Sequence, residues 1–189
     1  MGQMPAADRE RIVSNLERSR DAFLAAISGL SPEVWAHRSQ PDAWSIAECA
    51  DHVLGVERLL FDTVKALRDC APDPERVARV QGKEERLITA LSDRTFKVKV
   101  PFALNPTGTA DSPEHLASAF RAMRSEVIAY ASETDDPLRE RVARHPLLKD
   151  MDGVQWLLVI SAHTDRHVAQ IQEIRGESSY RASKSSGSI

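Results

Sequence analysis

Cysteine is scarce in this chain, with Cys49 and Cys70 the only two among 189 residues. So few thiols cannot build a disulfide scaffold, and the default for such a pair is reduced, cytosolic cysteine. Positive charge is not in excess either, since 25 Lys and Arg against 28 Asp and Glu leave a net charge of −3. Nucleic acid is therefore excluded as a main partner, because phosphate contacts need a basic surplus. Long apolar runs are missing. The longest, residues 156–160, falls far short of the roughly 20 residues that cross a bilayer. The opening MGQMPAADRE lacks the apolar stretch of a secretory signal. It begins like a myristoylation site but carries Ala6 where Ser or Thr is required. These absences lead to a cytoplasmic protein that does not engage membranes.

What is present is ordinary for a globular domain, with 42% apolar and 28% charged residues. A domain of this length buries roughly 70% of its unfolded surface, enough for a self-sufficient core.

Four long segments carry helical periodicity. In the first, about 8–30, Ile12, Leu16, Phe23, Ile27 and Leu30 share one side, and Gly29 with Ser31-Pro32 stops it. The second opens at Ser45 with a capping box, Ser at N-cap and Glu48 at N3, and its stripe runs Ile46, Cys49, Val53, Val56, Leu60, Val64, Leu67. Cys49 on that stripe reads as a buried, inert thiol. The third starts at Ser112 with Pro113 in its first turn and carries Leu116, Phe120, Met123, Val127 and Tyr130. The fourth starts near Asp152, carries Trp156, Ile160, Ile171 and Ile174, and meets a natural stop at Gly176.

The joining segments are long, about 15, 40 and 20 residues, against the handful usual in bundles. The middle one holds a short helix over 83–91 and a period-two stretch over 96–102, with Pro101 marking an edge or non-ladder segment. Residues 177–189 are Ser-rich and read as a disordered tail. The pattern predicts one all-α domain over 1–176. It is a four-helix bundle with long connections, in which a crossover lets the middle helices run the same way, up-down-down-up.

Helix four contains His163 and His167. A spacing of four residues projects both rings from one face. That face continues the apolar stripe, so the rings point into the core, where each must be hydrogen-bonded or coordinate something. His52 flanks the stripe of helix two. With helices two and four antiparallel, its height matches that of the pair. Three neutral imidazoles leave a divalent ion its full charge and an open position, where bound water is acidified toward neutral pH. Zn²⁺ suits this set. Ni²⁺, Fe²⁺ and Mn²⁺ are alternatives, because imidazole does not discriminate sharply. The competing reading is a set of core histidines bonded to backbone or carboxylate. His37, His115 and His145 read as surface residues.

Several pieces in order carry a family resemblance. They are Trp44-Ser45-Ile46-Ala47-Glu48 followed by Asp51-His52-Val53, Val100-Pro101-Phe102 through Asn105-Pro106-Thr107-Gly108, Phe120-Arg121 with Arg124, His145-Pro146, and Gly153-Val154-Gln155-Trp156-Leu157 through His163-Thr164-Asp165-Arg166-His167-Val168-Ala169-Gln170-Ile171. In these the chain resembles the metal-binding branch of the DinB/YfiT-like superfamily. One departure is the segment after His145-Pro146, where Leu147-Leu148-Lys149-Asp150-Met151-Asp152 replaces a glycine-containing turn. The resemblance implies an up-down-down-up bundle, His52, His163 and His167 as metal ligands, and a homodimer. It also implies either metal-dependent hydrolysis or transfer involving a low-molecular-weight thiol such as bacillithiol or mycothiol.

Further pocket residues have two readings each. Glu48 would orient His52 or serve only its capping box. Gln170 would reach the site or bond between helices. Arg121 and Arg124 would hold an anionic substrate or be solvated. Trp44 would staple the start of helix two or stand at a pocket rim. Asp165 and Arg166 point away from the histidines. The leading expectation is a metal-dependent enzyme acting on a small molecule. The alternative is a non-catalytic metal- or ligand-binding module, or a dimeric interaction module.

Overall fold

The structure is a computed structural model that describes residues 3–95, 105–108 and 110–185, with 178–185 as backbone only. The stretch expected as extended, 96–102, lies outside the described residues. Four long helices form the bundle: α1 (Ala6–Ile27), α3 (Ile46–Leu67), α6 (Pro113–Glu133) and α7 (Gly153–Ser185). The connections hold α2 (Pro32–Trp35), α4 (Pro74–Val80) and α5 (Glu84–Ser92), then a 3₁₀ turn at Leu138–Glu140 and a hairpin of β1 (Val142–His145) and β2 (Lys149–Asp152). Among the described residues no helix is long and apolar enough to cross a membrane.

Two stacked apolar clusters reveal the helix directions. One joins Ile12 and Leu16 of α1, Val56 to Leu67 of α3, Met123 to Ala131 of α6 and Val154 to Ile160 of α7. The other joins Phe23 to Ile27, Ile46 to Val53, Leu116 with Phe120, and Val168 to Ile174. At this second end lie the C-terminal halves of α1 and α7 and the N-terminal halves of α3 and α6. The order is therefore up-down-down-up. Caps agree with the sequence signals: Ser45 and Glu48 form the complete capping box, and the Ser112 side chain accepts from the His115 backbone amide.

Between the clusters lies a charged contact. Arg124 is fully buried and donates to both Glu57 oxygens at 2.6 and 2.7 Å. It also donates to the Leu16 carbonyl, the Ser19 hydroxyl and the Thr164 hydroxyl. All five guanidinium donors are used. The expectation that Arg124 faces a pocket is corrected, because no donor remains for a substrate.

The sequence also missed the hairpin. Its turn places Lys149 at φ 68°, a left-handed conformation that favours glycine. The His145 Nδ1 atom accepts from the Leu147 and Leu148 amides and holds the turn. Gly153, just beyond, is required by space. A Cβ there would meet Leu138 Cδ2 at 2.8 Å. Helix α7 continues past Gly176 to Ser185, which corrects the expected stop and the disordered tail over 177–189 as far as Ser185. Gly176 is not among the left-handed glycines, and a right-handed glycine weakens a helix by about 1 kcal/mol without ending it.

Removing one partner of the buried pair, by Arg124→Met or Glu57→Leu, should cost about 3–5 kcal/mol in denaturant unfolding. The double variant should recover most of that loss. Single variants within about 1 kcal/mol of wild type would show that the pair does not hold the bundle.

Candidate metal centre

His52 lies on the second turn of α3, and His163 and His167 lie on successive turns of α7. Antiparallel packing of these helices brings the three rings together. Ring centroids are 5.2 Å apart for His52–His163, 4.8 Å for His52–His167 and 4.6 Å for His163–His167. One nitrogen from each ring lies within 4.8 Å of the others. Nitrogens bound tetrahedrally at about 2.1 Å from zinc would be about 3.4 Å apart, so small ring rotations close the set. Among the described residues, no other His, Cys, Asp or Glu joins the group.

His52 and His167 are buried, whereas His163 keeps some exposed surface. Its ring still lies deep enough that burial, with His167 and His52 beside it, holds its pKa well below the usual histidine value. Burial likewise takes His167 down to about 3, with His52 adding to the effect and the Gln170 contact opposing it. Both rings are thus neutral at physiological pH, the form that ligates a metal. Three imidazole donors, with no fourth protein ligand among the described residues, fit a divalent ion that keeps an open position.

Gln170 reaches the site. Its Oε1 lies 3.0 Å from His167 Nδ1. In this pairing Nδ1 carries the proton and Nε2 is left for a metal. Glu48 does otherwise. Its carboxylate accepts from the Ser45 amide at 2.7 Å and from Arg38 at 2.7 Å. Burial raises the Glu48 pKa, but these bonds outweigh it and keep the group below its ordinary value. Trp44 is partly buried against the second cluster, with its ring 4.8 Å from His52 and 6.4 Å from His167. Asp165 and Arg166 do point away, to Arg18 and to the Leu91 and Asp93 carbonyls. Cys49 is fully buried and burial pushes its thiol up to about 12, so it is inert.

Two features escaped the sequence reading. Asp51, the neighbour of His52, accepts through Oδ2 from the Thr107 hydroxyl and the Gly108 amide, so it clamps the crossover onto α3. A shallow groove lined by Ala47, Glu48, Asp51, Gly108 and Ala110 follows this clamp. Nothing in local sequence pairs residues that far apart. His145, read as surface, is half-buried with its ring 5.3 Å from Trp156, and burial lowers its pKa. The apolar alternation of the hairpin was too short to reveal that.

The DinB superfamily profile matches residues 15–171. The "Uncharacterized protein YuaE" of Bacillus subtilis (strain 168) is 27% identical over 149 residues, which cover 79% of this chain and 88% of that protein. Among solved structures, the fold is similar to YfiT from Bacillus subtilis, described as a probable metal-dependent hydrolase with an unusual four-helix bundle topology. The TM-score is 0.59 at 12% identity, covering 95% of this chain and 92% of that one.

Alanine at His52, His163 or His167 should abolish stoichiometric metal in elemental analysis of the purified protein. Alanine at His37, His115 or His145 should not. Full metal retained by His163→Ala would end the assignment. Gln170→Leu should weaken affinity about 10- to 100-fold in a chelator competition, with the fold intact by circular dichroism.

Proposed function

We propose that this chain, which belongs to the DinB superfamily, is a metal-dependent hydrolase of a small molecule, built on the His52–His163–His167 cluster. The observation that carries the reading is the donor set itself. Three imidazoles from two helices converge within 4.8 Å, and no fourth ligand joins them among the described residues. A structural site would be closed by a fourth protein ligand. The description of YfiT as a probable metal-dependent hydrolase is in line with this reading.

A divalent ion bound there, for which Zn²⁺ is the best-suited candidate, would supply Lewis-acid polarisation of a substrate oxygen and acidify water near neutral pH. The chain's own contributions are these. His52, His163 and His167 hold the ion as neutral ligands. Gln170 holds the proton on His167 Nδ1 and so directs Nε2 inward. The flanking apolar residues, Cys49, Ala50, Val53, Val168 and Ile171, lower the local dielectric around the rings, which strengthens electrostatic interactions at the site. Burial of the rings removes competing protons before an ion arrives.

Cobalt substitution tests the open position. The visible bands of the Co²⁺ protein should shift when azide is added, and the shift should be absent in His163→Ala. Bands indifferent to azide would mean a closed site and favour the non-catalytic module. The Zn²⁺ protein should then hydrolyse members of a panel of small esters, amides and phosphoesters. Turnover that appears only with an added low-molecular-weight thiol would move the assignment to thiol transfer.

Chelation should lower the unfolding midpoint without unfolding the helices, because two large apolar clusters supply the core independently of the imidazoles. Adding Zn²⁺ at 100 times its dissociation constant should restore about 2.7 kcal/mol. Loss of the helical signal on chelation would mean that the ion, not the core, holds the fold. A midpoint indifferent to both would count against a metal site.

A further inference from the structure

We infer that Trp44 is the aromatic wall of the substrate site and selects substrates that present a flat aryl or unsaturated group beside the metal position. This rests on the metal-dependent reading above and adds to it the chemistry of the substrate.

The indole lies against two of the three proposed ligand rings, which come from different helices. It is tilted against His52 at 4.8 Å and lies nearly parallel to His167 at 6.4 Å, with 25° between the planes. Trp44 is partly buried and packs against the second apolar cluster, whereas His52 and His167 beside it are buried. The indole is thus the most exposed of these three rings, and a ligand approaching the cluster from this side meets it first.

The segment that carries Trp44 is fixed at both ends. Arg38 donates to the Ala43 carbonyl at 2.8 Å and to Glu48 at 2.7 Å, and Arg38 bridges Ser45 backbone to backbone. The Ser45–Glu48 capping box closes the following turn. A ring held this way costs little further ordering when a ligand stacks on it. The other two indoles are committed elsewhere. Trp35 donates to the Ala110 carbonyl, and Trp156 is buried in the far cluster.

The neighbouring described polar groups narrow the ligand. Arg38 is engaged by Glu48, and Asp51 is bonded to the crossover. Among the described residues, Trp44 offers a π-face against the ligand rings. Offset stacking of a flat group on such a face adds specificity beyond the area it buries.

Two metal-directed probes separate the wall from the ion. Acetohydroxamate and benzohydroxamate carry the same chelating group and differ in the aryl ring. Their dissociation constants are measured by calorimetry on the Zn²⁺-loaded wild type, Trp44→Ala and Trp44→Phe, with zinc content determined for each. In wild type, benzohydroxamate should bind about three- to tenfold more tightly than acetohydroxamate. Trp44→Ala should lose that preference while keeping its zinc and its acetohydroxamate affinity. Trp44→Phe should keep most of the preference, which also controls for folding. An equal aryl preference in wild type and Trp44→Ala overturns the wall and leaves the metal reading standing. A parallel loss of both affinities in Trp44→Ala and Trp44→Phe, with zinc retained, also overturns it, because it reports a structural role. Failure of the wild type to hold zinc or either probe overturns the metal reading and the wall with it.

Discussion

The buried guanidinium of Arg124 is the contact on which the bundle's register depends. From α6 it reaches Leu16 and Ser19 on α1, Glu57 on α3 and Thr164 on α7. One planar side chain thus ties all four long helices at a single height. A buried ion pair adds little net stability over an apolar replacement of the same volume, since desolvation offsets its attraction. Its geometric demand is another matter. An apolar stripe tolerates a slip of one turn, but five directed donors do not. Any slip would leave a charge unpaired in the core, at a cost of several kcal/mol.

That register also levels the histidines. Thr164, bonded to Arg124, adjoins His163, and Glu57 lies five residues beyond His52 on α3. Fixing Glu57 against Thr164 therefore fixes His52 against His163 and His167. The charged contact and the imidazole cluster occupy neighbouring faces of α7, where the two apolar clusters meet. The bundle places its polar groups at one waist and leaves both ends for hydrophobic burial.

The long connections add a few residues to the core, Trp35, Leu87, Leu138 and Met151 among them, and are tied down further by arginine pairs. Arg139 binds Asp8, Glu84 and Asp152, which joins the start of α1, α5 and the end of the hairpin. Arg76 binds Asp150 through two nitrogens. Arg94 donates to Glu173 and to the Arg166 carbonyl, so the end of α5 is held along α7. These contacts are partly exposed and individually weak. Together they hold the hairpin and the crossover against the bundle.

By itself the sequence determined the four helices, the N-terminal caps of α3 and α6, the inward face of His163 and His167, and the matching height of His52. Periodicity and spacing are local, and a helix face follows from residue number alone. The orientation of His167 by Gln170 was also within reach, because one turn separates them. Only the tertiary structure decided the rest. Arg124 reads as a substrate-holding or solvated arginine until Glu57, 67 positions away, is folded beside it. Trp44 reads equally as a staple or as a rim residue until α7 brings His167 beside it. The Asp51 clamp spans 57 residues to Gly108. Gly176 reads as a stop, yet a right-handed glycine lets α7 run on. The common reason is that a polar or aromatic side chain takes its role from partners distant in the chain, and no spacing rule reaches across a crossover.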